Sequence, residues 1–276
     1  MIYKKYGISL DRTKIKSIVN IHTMHTHANN HELFFMLSGQ RRYFVGHSIY
    51  DISPGNVIYI PKNVLHRTVS LGTKGYDRYV VQFPQKFCDK LIADLGWDCF
   101  EEWKNGVCFQ HSADTALRIQ RAFEKIEQEM TNTNKWSQST AYFHLHEILL
   151  CCFKNGTPKE RCQEETVGKI QEICKYISNN YREDITLEDA SSMVHIEKTY
   201  FCKCFKKTTG TNFLEFLTQT RLQAAKELLS NTDLSVGEIS DICGFSCGNY
   251  FGDVFKKNTG VSPKKYRQKA QQQKTP

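Results

Sequence analysis

Four residues in the first quarter of the chain have the types and spacing of a metal site or a polar binding site. His25 and His27 stand two residues apart, so in a β-strand their side chains share one face. Glu32 and His66 follow on segments that we expect to be neighbouring strands, from which they can converge on the histidine pair. Three imidazoles and a carboxylate suit a first-row divalent metal. The same side chains also suit the lining of a small-molecule pocket or a structural brace, and both alternatives stay open.

Two further residues extend the pocket interpretation. Arg42 and Tyr43 lie on the strand predicted after the histidine pair, and side chains of these types stack on a sugar or a small polyol and hydrogen-bond to it. An aromatic acid, a urea or a bile-type ligand remains an alternative. Aromatic residues at strand spacing are also ordinary core residues, so Tyr43 keeps a purely structural interpretation beside the functional one.

The second group of chemically informative residues lies in two helical segments that each end in Phe-Lys-Lys-x-Thr-Gly, at Gly210 and at Gly260. Helical spacing predicts that Phe201, Cys204 and Phe205 are buried in the first segment, and that Tyr250, Phe251, Val254 and Phe255 are buried in the second. The predicted outward-facing residues are Lys198, Thr199, Cys202, Lys203 and Lys206, then Cys247, Gly248, Asn249, Gly252, Asp253 and Lys256.

These outward faces predict DNA recognition. Asn249 can bond an adenine edge and Asp253 a cytosine amine, whereas the glycines of the second segment offer no side chain for readout. The first segment is therefore expected to supply more of the base contacts. Lys206 and Lys256 are expected to contact phosphates. A solvated face of an ordinary helical module is the alternative.

Each of these segments is preceded by a short helix and a turn. Thr186 and Ser235 each stand three residues before a carboxylate, which is the pattern of a capped helix start. Gly244 supplies the positive φ that the second turn needs, and His195 stands at the same place in the first turn, where some strain is expected. Two helix-turn-helix motifs in tandem place two recognition helices on one body, which suits adjacent major-groove segments of a duplex.

The amino-terminal part has a different rhythm. From Lys14 to about Phe83, short runs rich in Val, Ile, Phe and Tyr alternate with turn signals, which predicts an antiparallel barrel or sandwich. From about Ala113, apolar residues recur every three or four positions and predict two amphipathic helices. These helices either cover the open edge of the barrel or form a dimer interface. The polar segment from Lys154 to Glu160 contains Gly and Pro and predicts an exposed linker.

Composition is compatible with this organisation. The chain has 276 residues, enough for two domains, and a net charge of +8 whose basic excess is spread over both halves. Its eleven cysteines fit no common zinc spacing, and residues 1–12 lack the apolar run of a secretory leader, so we expect reduced thiols in the cytoplasm. No run approaches eighteen consecutive apolar residues, which argues against a membrane span.

Residues from about Thr166 to Arg267 resemble the DNA-binding domain of AraC/XylS-type transcription regulators. The resemblance covers both motifs, the linking helix with Arg221-Leu222-x-x-Ala225-x-x-Leu228-Leu229, and the segment Gly260-Val261-Ser262-Pro263-x-x-Tyr266-Arg267. The chain departs from the family pattern at Glu197, where Ser is usual, at His195, where Gly is usual, and at Ser240, where Ala is usual.

The histidine segments resemble the two cupin motifs, with Asn63 where the second motif usually has Gly. The resemblance implies that His25, His27, Glu32 and His66 occupy the positions that are ligands in metal-binding cupins. Many regulators of the AraC/XylS type share these positions and instead hold a small metabolite in the barrel. No cofactor is therefore expected, with a divalent metal as the alternative.

We therefore predict an α+β chain of two domains. Residues 1–153 form a cupin-like antiparallel β-barrel with two amphipathic helices, 154–164 a linker, 165–270 an all-α domain whose two helix-turn-helix motifs are joined by a linking helix, and 271–276 a tail. The predicted function is regulation of transcription by a dimer that binds double-stranded DNA and a small effector, without membrane contact and without enzymatic activity. An activator would also contact RNA polymerase. Alternatives are a metal-dependent cupin enzyme fused to a DNA-binding domain, and a constitutive regulator whose barrel only dimerises.

Overall fold

The structure is a computed structural model that describes residues 2–5, 7–16, 24–71, 75–132 and 134–272. The chain divides into two compact units, Met1–Glu164 and Glu165–Pro276. Within the first unit the strands are β1 (Ile2–Lys5), β2 (Ile8–Ile15), β3 (Asn30–Ser38), β4 (Arg41–Val45), β5 (Ser48–Ile52), β6 (Val57–Ile60), β7 (His66–Ser70), β8 (Tyr76–Pro84), β9 (Val107–Gln110) and β10 (Thr157–Pro158). Residues 273–276 of the predicted tail lie outside the described residues.

These strands form two antiparallel sheets. One has the order β1-β2-β8-β3-β6-β9-β10 and the other the order β5-β4-β7. The run Leu33-Phe34-Phe35-Met36 in β3 is buried on both faces, because Phe34 and Met36 contact the core between the sheets while Leu33 and Phe35 contact the helices on the other side. A continuous apolar run is therefore what this central strand requires.

Helices cover the outer face of the larger sheet. They are α1 (Gln85–Leu95), α2 (Ala113–Thr131) and α3 (Ser137–Asn155), with a 3₁₀ turn at Glu101–Trp103. Ile119, Phe123 and Ile126 of α2 join the core against this sheet, as do Leu145 and Ile148 of α3. The two predicted amphipathic helices therefore bury the stripe that their periodicity indicated.

The segment after α3 differs from the exposed linker that the sequence predicts. Thr157 and Pro158 pair with β9, and the backbone amide of Lys159 donates to the carbonyl of Cys108 at 2.7 Å. The amide of Cys162 donates to the carbonyl of Ile49 at 2.8 Å. The polar side chains face solvent, but the free edge of β9 offers backbone groups that need partners, so the segment binds to the barrel as an added strand.

The second unit contains α4 (Glu165–Asn180), α5 (Leu187–Met193), α6 (Lys198–Thr209), α7 (Phe213–Asn231), α8 (Val236–Ile242), α9 (Gly248–Thr259) and α10 (Pro263–Gln272). The first motif is α5–turn–α6, the second is α8–turn–α9, and α7 joins them. Arg221 of α7 donates to the carbonyl of Tyr181 at 2.7 Å and to that of Glu183 at 2.7 Å, which ties the linking helix to the chain after α4.

Both capping patterns form as predicted. The amide of Asp189 donates to the Thr186 hydroxyl and that of Glu238 to the Ser235 hydroxyl, each at 3.1 Å, and each carboxylate accepts the amide of its capping residue in return. The cores beneath the motifs are aromatic: Phe201, Phe205, Phe213 and Phe216 in the first, and Phe245, Phe251, Phe255 and Tyr266 in the second. Within the described part of the chain, no helix has the length and apolar character needed to cross a membrane.

Candidate DNA-binding surface and ligand pocket

The first recognition helix, α6, begins at an unusual cap. The carboxylate of Glu197 accepts the amides of Thr199 and Tyr200, each at 2.8 Å, and these two bonds lower the pKa of Glu197. Glutamate thus performs the capping role for which serine is usual. His195 before it adopts φ 53°, the left-handed conformation expected at this position.

All five residues predicted to face outward on α6 are exposed: Lys198, Thr199, Cys202, Lys203 and Lys206. Lys207 is exposed beside them, and the Lys198 ammonium pairs with the Glu188 carboxylate of α5. Buried Phe201 and Phe205 fix which side of the helix is presented. The exposed face is therefore strongly cationic, with lysines distributed over the whole length of the helix.

The second recognition helix, α9, presents different chemistry. Cys247, Gly248, Asn249, Asp253 and Lys256 are exposed, as their spacing predicts, and Gly252 is half-exposed. The amides of Tyr250 and Asn249 at the helix start lower the pKa of the Cys247 thiol. Asp253 occupies the position that Lys203 occupies in α6, so the two faces carry opposite charges at corresponding places.

Tyr250 corrects the sequence interpretation. Helical spacing predicts it in the buried stripe, but its side chain is 52% exposed, and Tyr200 at the corresponding position of α6 is 54% exposed. Phe251 and Phe255 fill the buried stripe of this 12-residue helix, with Val254 half-buried against the same core, so the residue before Phe251 turns to solvent. A Tyr-Phe pair occurs at 200–201 and again at 250–251. This repeat is the sequence signal that identifies Tyr200 and Tyr250 as further surface residues.

A cavity of about 300 Å³ lies in the first unit between the two sheets. Five of the six predicted pocket residues border it: His25, His27, Glu32, Tyr43 and His66. Its other walls come from Lys4, Ser9, Asp11, Thr68, Arg78, Val80 and Gln82. The larger sheet contributes residues of β1, β2, β3 and β8, and the smaller one contributes Tyr43, His66 and Thr68. Tyr43 and Thr68 are paired across β4 and β7.

Arg42 does not border this cavity, which corrects its assignment to the pocket. Its guanidinium binds the Asp51 carboxylate at 2.7 and 2.9 Å, and it also reaches Glu164 at 3.3 Å. Successive residues of a strand face opposite sides of a sheet, so Arg42 must point away when Tyr43 points inward. The Asp51 hydrogen bond raises the pKa of Arg42.

The three histidines meet at one end of the cavity. Backbone bonds between His25 and His66, at 3.0 and 3.1 Å, bring their rings together, and the ring nitrogens of His25, His27 and His66 that could bind a metal lie within 4.8 Å of one another. The His66 Nδ1 donates to the carbonyl of Val64 at 2.8 Å. Its buried Nε2 has no hydrogen-bond partner in the described residues. Burial lowers the pKa of His66 to about 4, so the ring is neutral and Nε2 carries a free lone pair.

Glu32 lies beside this cluster. Its Oε2 is 2.9 Å from His27 Nε2 and 2.9 Å from Gln82 Nε2. Burial alone would raise the pKa of Glu32, but the hydrogen bond with His27 and the nearby imidazoles outweigh it and hold the pKa at about 2. A charged carboxylate beside three convergent imidazoles is a donor set that fits a divalent metal.

Comparison with known proteins places both units in one family. Residues 190–269 match the family described as a helix-turn-helix domain, and residues 18–146 match the AraC-like ligand binding domain. The Escherichia coli K12 protein YijO, named an uncharacterized HTH-type transcriptional regulator, is 39% identical over 229 residues, which are 80% of this chain and 76% of YijO. The chain belongs to the AraC family of transcription regulators.

A second relative and a solved structure are similar over most of the chain. The transcriptional activator RhaR of Mannheimia succiniciproducens is 25% identical over 88% of this chain and 86% of its own length. Among solved structures, ToxT of Vibrio cholerae covers 95% of this chain and 98% of its own at 15% identity and a TM-score of 0.38. YijO and RhaR are named as transcriptional regulators, and family membership makes this chain a DNA-binding transcription regulator with an amino-terminal ligand-binding domain.

Proposed function

We propose that this regulator changes its affinity for a specific DNA site when a small metabolite, such as a sugar, binds the cavity of the first unit. The observation that carries the proposal is the cavity itself: most of its lining residues are polar or charged, it lies in the domain that matches the ligand-binding family, and its wall contains buried polar atoms without partners among the described residues. Buried polar groups normally have hydrogen-bond partners, so a ligand that supplies the missing partners gains free energy on binding. A coupling of roughly 1–3 kcal/mol between the two sites changes DNA affinity severalfold to about a hundredfold.

The DNA side of the proposal rests on α6 and α9. We assign base contacts chiefly to α6, whose exposed Thr199, Cys202 and Lys203 lie between its terminal lysines. Lys206 and Lys256 lie in the last turn of α6 and of α9, and we assign them to phosphate contacts.

We further propose that the regulator binds DNA as a dimer joined through α2 and α3. Besides their buried stripe, α2 and α3 expose large apolar side chains: Leu117 is 45% exposed, Phe143 65% and Leu150 43%. Phe143 and Leu150 lie seven residues apart and therefore share one face of α3, and neighbouring exposed apolar side chains are typical of association surfaces. Two copies joined here would place four recognition helices on one operator. Where such a dimer activates transcription, RNA polymerase is its further partner.

The test is a DNA-affinity measurement with the full chain. Duplexes that it binds are selected from a random pool, and their dissociation constants are measured by fluorescence anisotropy with and without each compound of a metabolite panel. We expect one chemical class to change the constant at least severalfold. A protein that binds every selected duplex equally in the presence of each panel compound would instead be a constitutive regulator with a purely dimerising barrel.

A divalent metal is a second candidate for the same cavity, favoured by the His66 Nε2 lone pair and its two imidazole neighbours. His25, His27 and His66 would hold it, with Glu32 beside them, and it would offer a ligand's oxygens a Lewis-acid site. The thermal unfolding midpoint of the protein, after treatment with EDTA, is measured with added Mn²⁺ or Zn²⁺. A rise that His66→Ala removes and that the α3 variant His144→Ala retains supports the metal; no rise removes it.

A further inference from the structure

One strand supplies the long wall of the cavity. Gln82, Val80 and Arg78 alternate along β8 and all three border the cavity. Gln82 lies at the histidine end, where it bonds to Glu32. The Cα atom of Arg78 lies four residues further along, about 13 Å away at the rise of an extended strand, and its side chain leans back to Asp11, which is paired with Val80. The cavity therefore has an imidazole end and a guanidinium end on one continuous wall.

At the guanidinium end, Arg78 has an incomplete set of partners. Its Nη2 lies 3.2 Å from the Asp11 carboxylate, and the side chain is only 13% exposed. Its Nη1 is buried and has no hydrogen-bond partner among the residues that the structure describes. A guanidinium nitrogen can only donate, so Nη1 requires an acceptor.

The carboxylates of the cavity are already bonded, which leaves the Nη1 of Arg78 to an acceptor that a ligand brings. Asp11 also accepts a bond from the Thr13 hydroxyl at 2.8 Å, and Glu32 is bonded to His27 and Gln82 at the other end. Lys4 borders the cavity as a second cation, but β1 pairs it with Ser9, which is itself paired with Gln82, so Lys4 lies toward the imidazole end. At the guanidinium end the Asp11 carboxylate balances the charge of Arg78 and leaves its Nη1 donor unused, and hydrogen bonds between a guanidinium and a carboxylate are the strong ones.

The imidazole end has the opposite requirement. Because the Nδ1 of His66 donates to Val64, its buried Nε2 is an acceptor that needs a donor. A hydroxyl group meets this requirement and a carboxylate does not. Arg78 Nη1 and His66 Nε2 both lack a hydrogen-bond partner in the described part of the chain. Arg78 Nη1 requires an acceptor and His66 Nε2 requires a donor, so one ligand that carries both groups can satisfy both atoms.

We propose that the effector is a hydroxylated carboxylate of sugar size, a sugar acid, whose carboxylate binds Arg78 Nη1 and whose hydroxyl donates to His66 Nε2. This inference rests on the proposed function, since it names the chemical class of the ligand for the same cavity. A volume of about 300 Å³ is at the lower end for small-molecule sites and is too small for a sterol-sized ligand. An open six-carbon chain, together with the long arginine side chain, covers the distance between the two ends.

The test compares matched ligands on the full-length protein in EDTA. D-Gluconate has the carboxylate and the hydroxyls, D-sorbitol has only the hydroxyls, and hexanoate has only the carboxylate. Isothermal titration is expected to show binding of gluconate that is about tenfold or more tighter than that of either partial ligand. Equal binding of sorbitol, or no binding of gluconate, overturns the proposal.

The matched variants are Arg78→Met and Arg42→Met. Both arginines pair with a carboxylate and their side chains are similarly buried, at 13% and 14% exposure, but only Arg78 borders the cavity. Arg78→Met is expected to lose at least tenfold in gluconate affinity, and Arg42→Met to retain it. Each variant's unfolding midpoint without ligand is measured first, and Arg78→Lys, which keeps the charge, replaces Arg78→Met if the latter does not fold. Gluconate affinity unchanged by loss of the Arg78 guanidinium overturns the assignment.

Failure of this inference is distinguishable from failure of the proposed function. If sorbitol or another neutral sugar binds and changes DNA affinity, the regulator responds to a ligand but the sugar-acid assignment is wrong. If gluconate binds through Arg78 and DNA affinity stays the same, the ligand class is supported and the regulatory proposal fails. Binding of gluconate only after a metal is added back overturns the assignment of His66 Nε2 to the ligand hydroxyl.

Discussion

The first helix-turn-helix motif exposes lysines along α6, whereas the second exposes glycine, asparagine and aspartate along α9. The buried residues do not differ in this way, because Phe201 and Phe205 correspond to Phe251 and Phe255. The helix starts also correspond, with a hydroxyl cap and a carboxylate partner in each motif. The packing of each motif therefore requires the same buried phenylalanines and leaves the exposed residues free to differ.

The turns show a second difference. Four residues separate α5 from α6, and five separate α8 from α9. His195 holds φ 53° in the first turn and Gly244 holds φ 78° in the second. The Ser191 hydroxyl donates to the carbonyl of Glu188, while that of Ser240, where alanine is usual, has no partner among the described residues. The second motif therefore has the longer turn, built on glycine, and a buried hydroxyl that gains no bond in that part of the chain.

The largest expected effect is that of Gly244→Ala. A Cβ on Gly244 would lie 2.6 Å from the carbonyl oxygen of Arg182, and the positive φ adds strain. We expect a loss of roughly 2–4 kcal/mol in the free energy of unfolding, measured with urea. Gly252→Ala is the control, since its Cβ would meet nothing within 4 Å. It should stabilise α9 by about 0.5–1 kcal/mol, and equal losses in the two variants would mean that the turn is not the constraint.

Lys203→Ala tests the specialisation of the exposed faces. If α6 reads bases, the variant loses about 1–3 kcal/mol of discrimination at one position of the selected site. Asp253→Ala, the corresponding change in α9, should cost less discrimination than Lys203→Ala and should raise affinity for all duplexes, because it removes a negative charge from a surface that binds a polyanion. Selection from a random pool with each variant measures both outcomes. Relaxed preference in Asp253→Ala and a uniform loss in Lys203→Ala would reverse the roles of the two helices.

Lys206 and Lys256, in the last turns of α6 and α9, test a feature that the two exposed faces share. Lys206→Ala and Lys256→Ala should each reduce the slope of log affinity against log salt by about one unit, since each removes one phosphate contact. Anisotropy titrations over a range of salt concentrations give the slopes. An unchanged slope in one variant would remove that helix end from the interface.

The smallest expected effect is that of His195→Gly. Glycine adopts the left-handed conformation without the penalty that histidine carries, so the first turn should gain about 0.5–1 kcal/mol of stability. Urea unfolding measures the gain. The opposite sign would show that the His195 side chain makes a contact that outweighs its backbone strain.

Most of the second unit could be predicted from sequence, because its information is local. Thr186 and Asp189 are three residues apart, and the Phe-Lys-Lys-x-Thr-Gly repeat marks both helix ends. The first unit could be predicted only in outline. Its cavity depends on which strands pair. The binding role of Arg78 depends on Asp11, which is far from it in sequence but lies on the adjacent strand β2.

The wrong predictions have the same origin. Proximity to Tyr43 in sequence suggests a pocket role for Arg42, but strand alternation gives the two residues opposite faces. The segment after α3 has the composition of a linker, and only the free edge of β9 explains why it is bound. Tyr250 has the residue type of a buried stripe, although two phenylalanines suffice there. The contact of the DNA-binding residues with DNA stays a prediction.

The alternation of β8 that lines the cavity has a mechanical consequence. Tyr79, next to Arg78, leaves the strand on the other face, stacks on Phe123 of α2 at 5.2 Å and donates to Glu127 of the same helix at 2.7 Å. Adjacent residues on one strand cannot rotate independently, because they share a backbone whose hydrogen bonds to β2 and β3 hold it on both sides. A change in the twist of β8 would therefore move Arg78 on the inner surface of the barrel together with Tyr79, which contacts a helix on its outer surface.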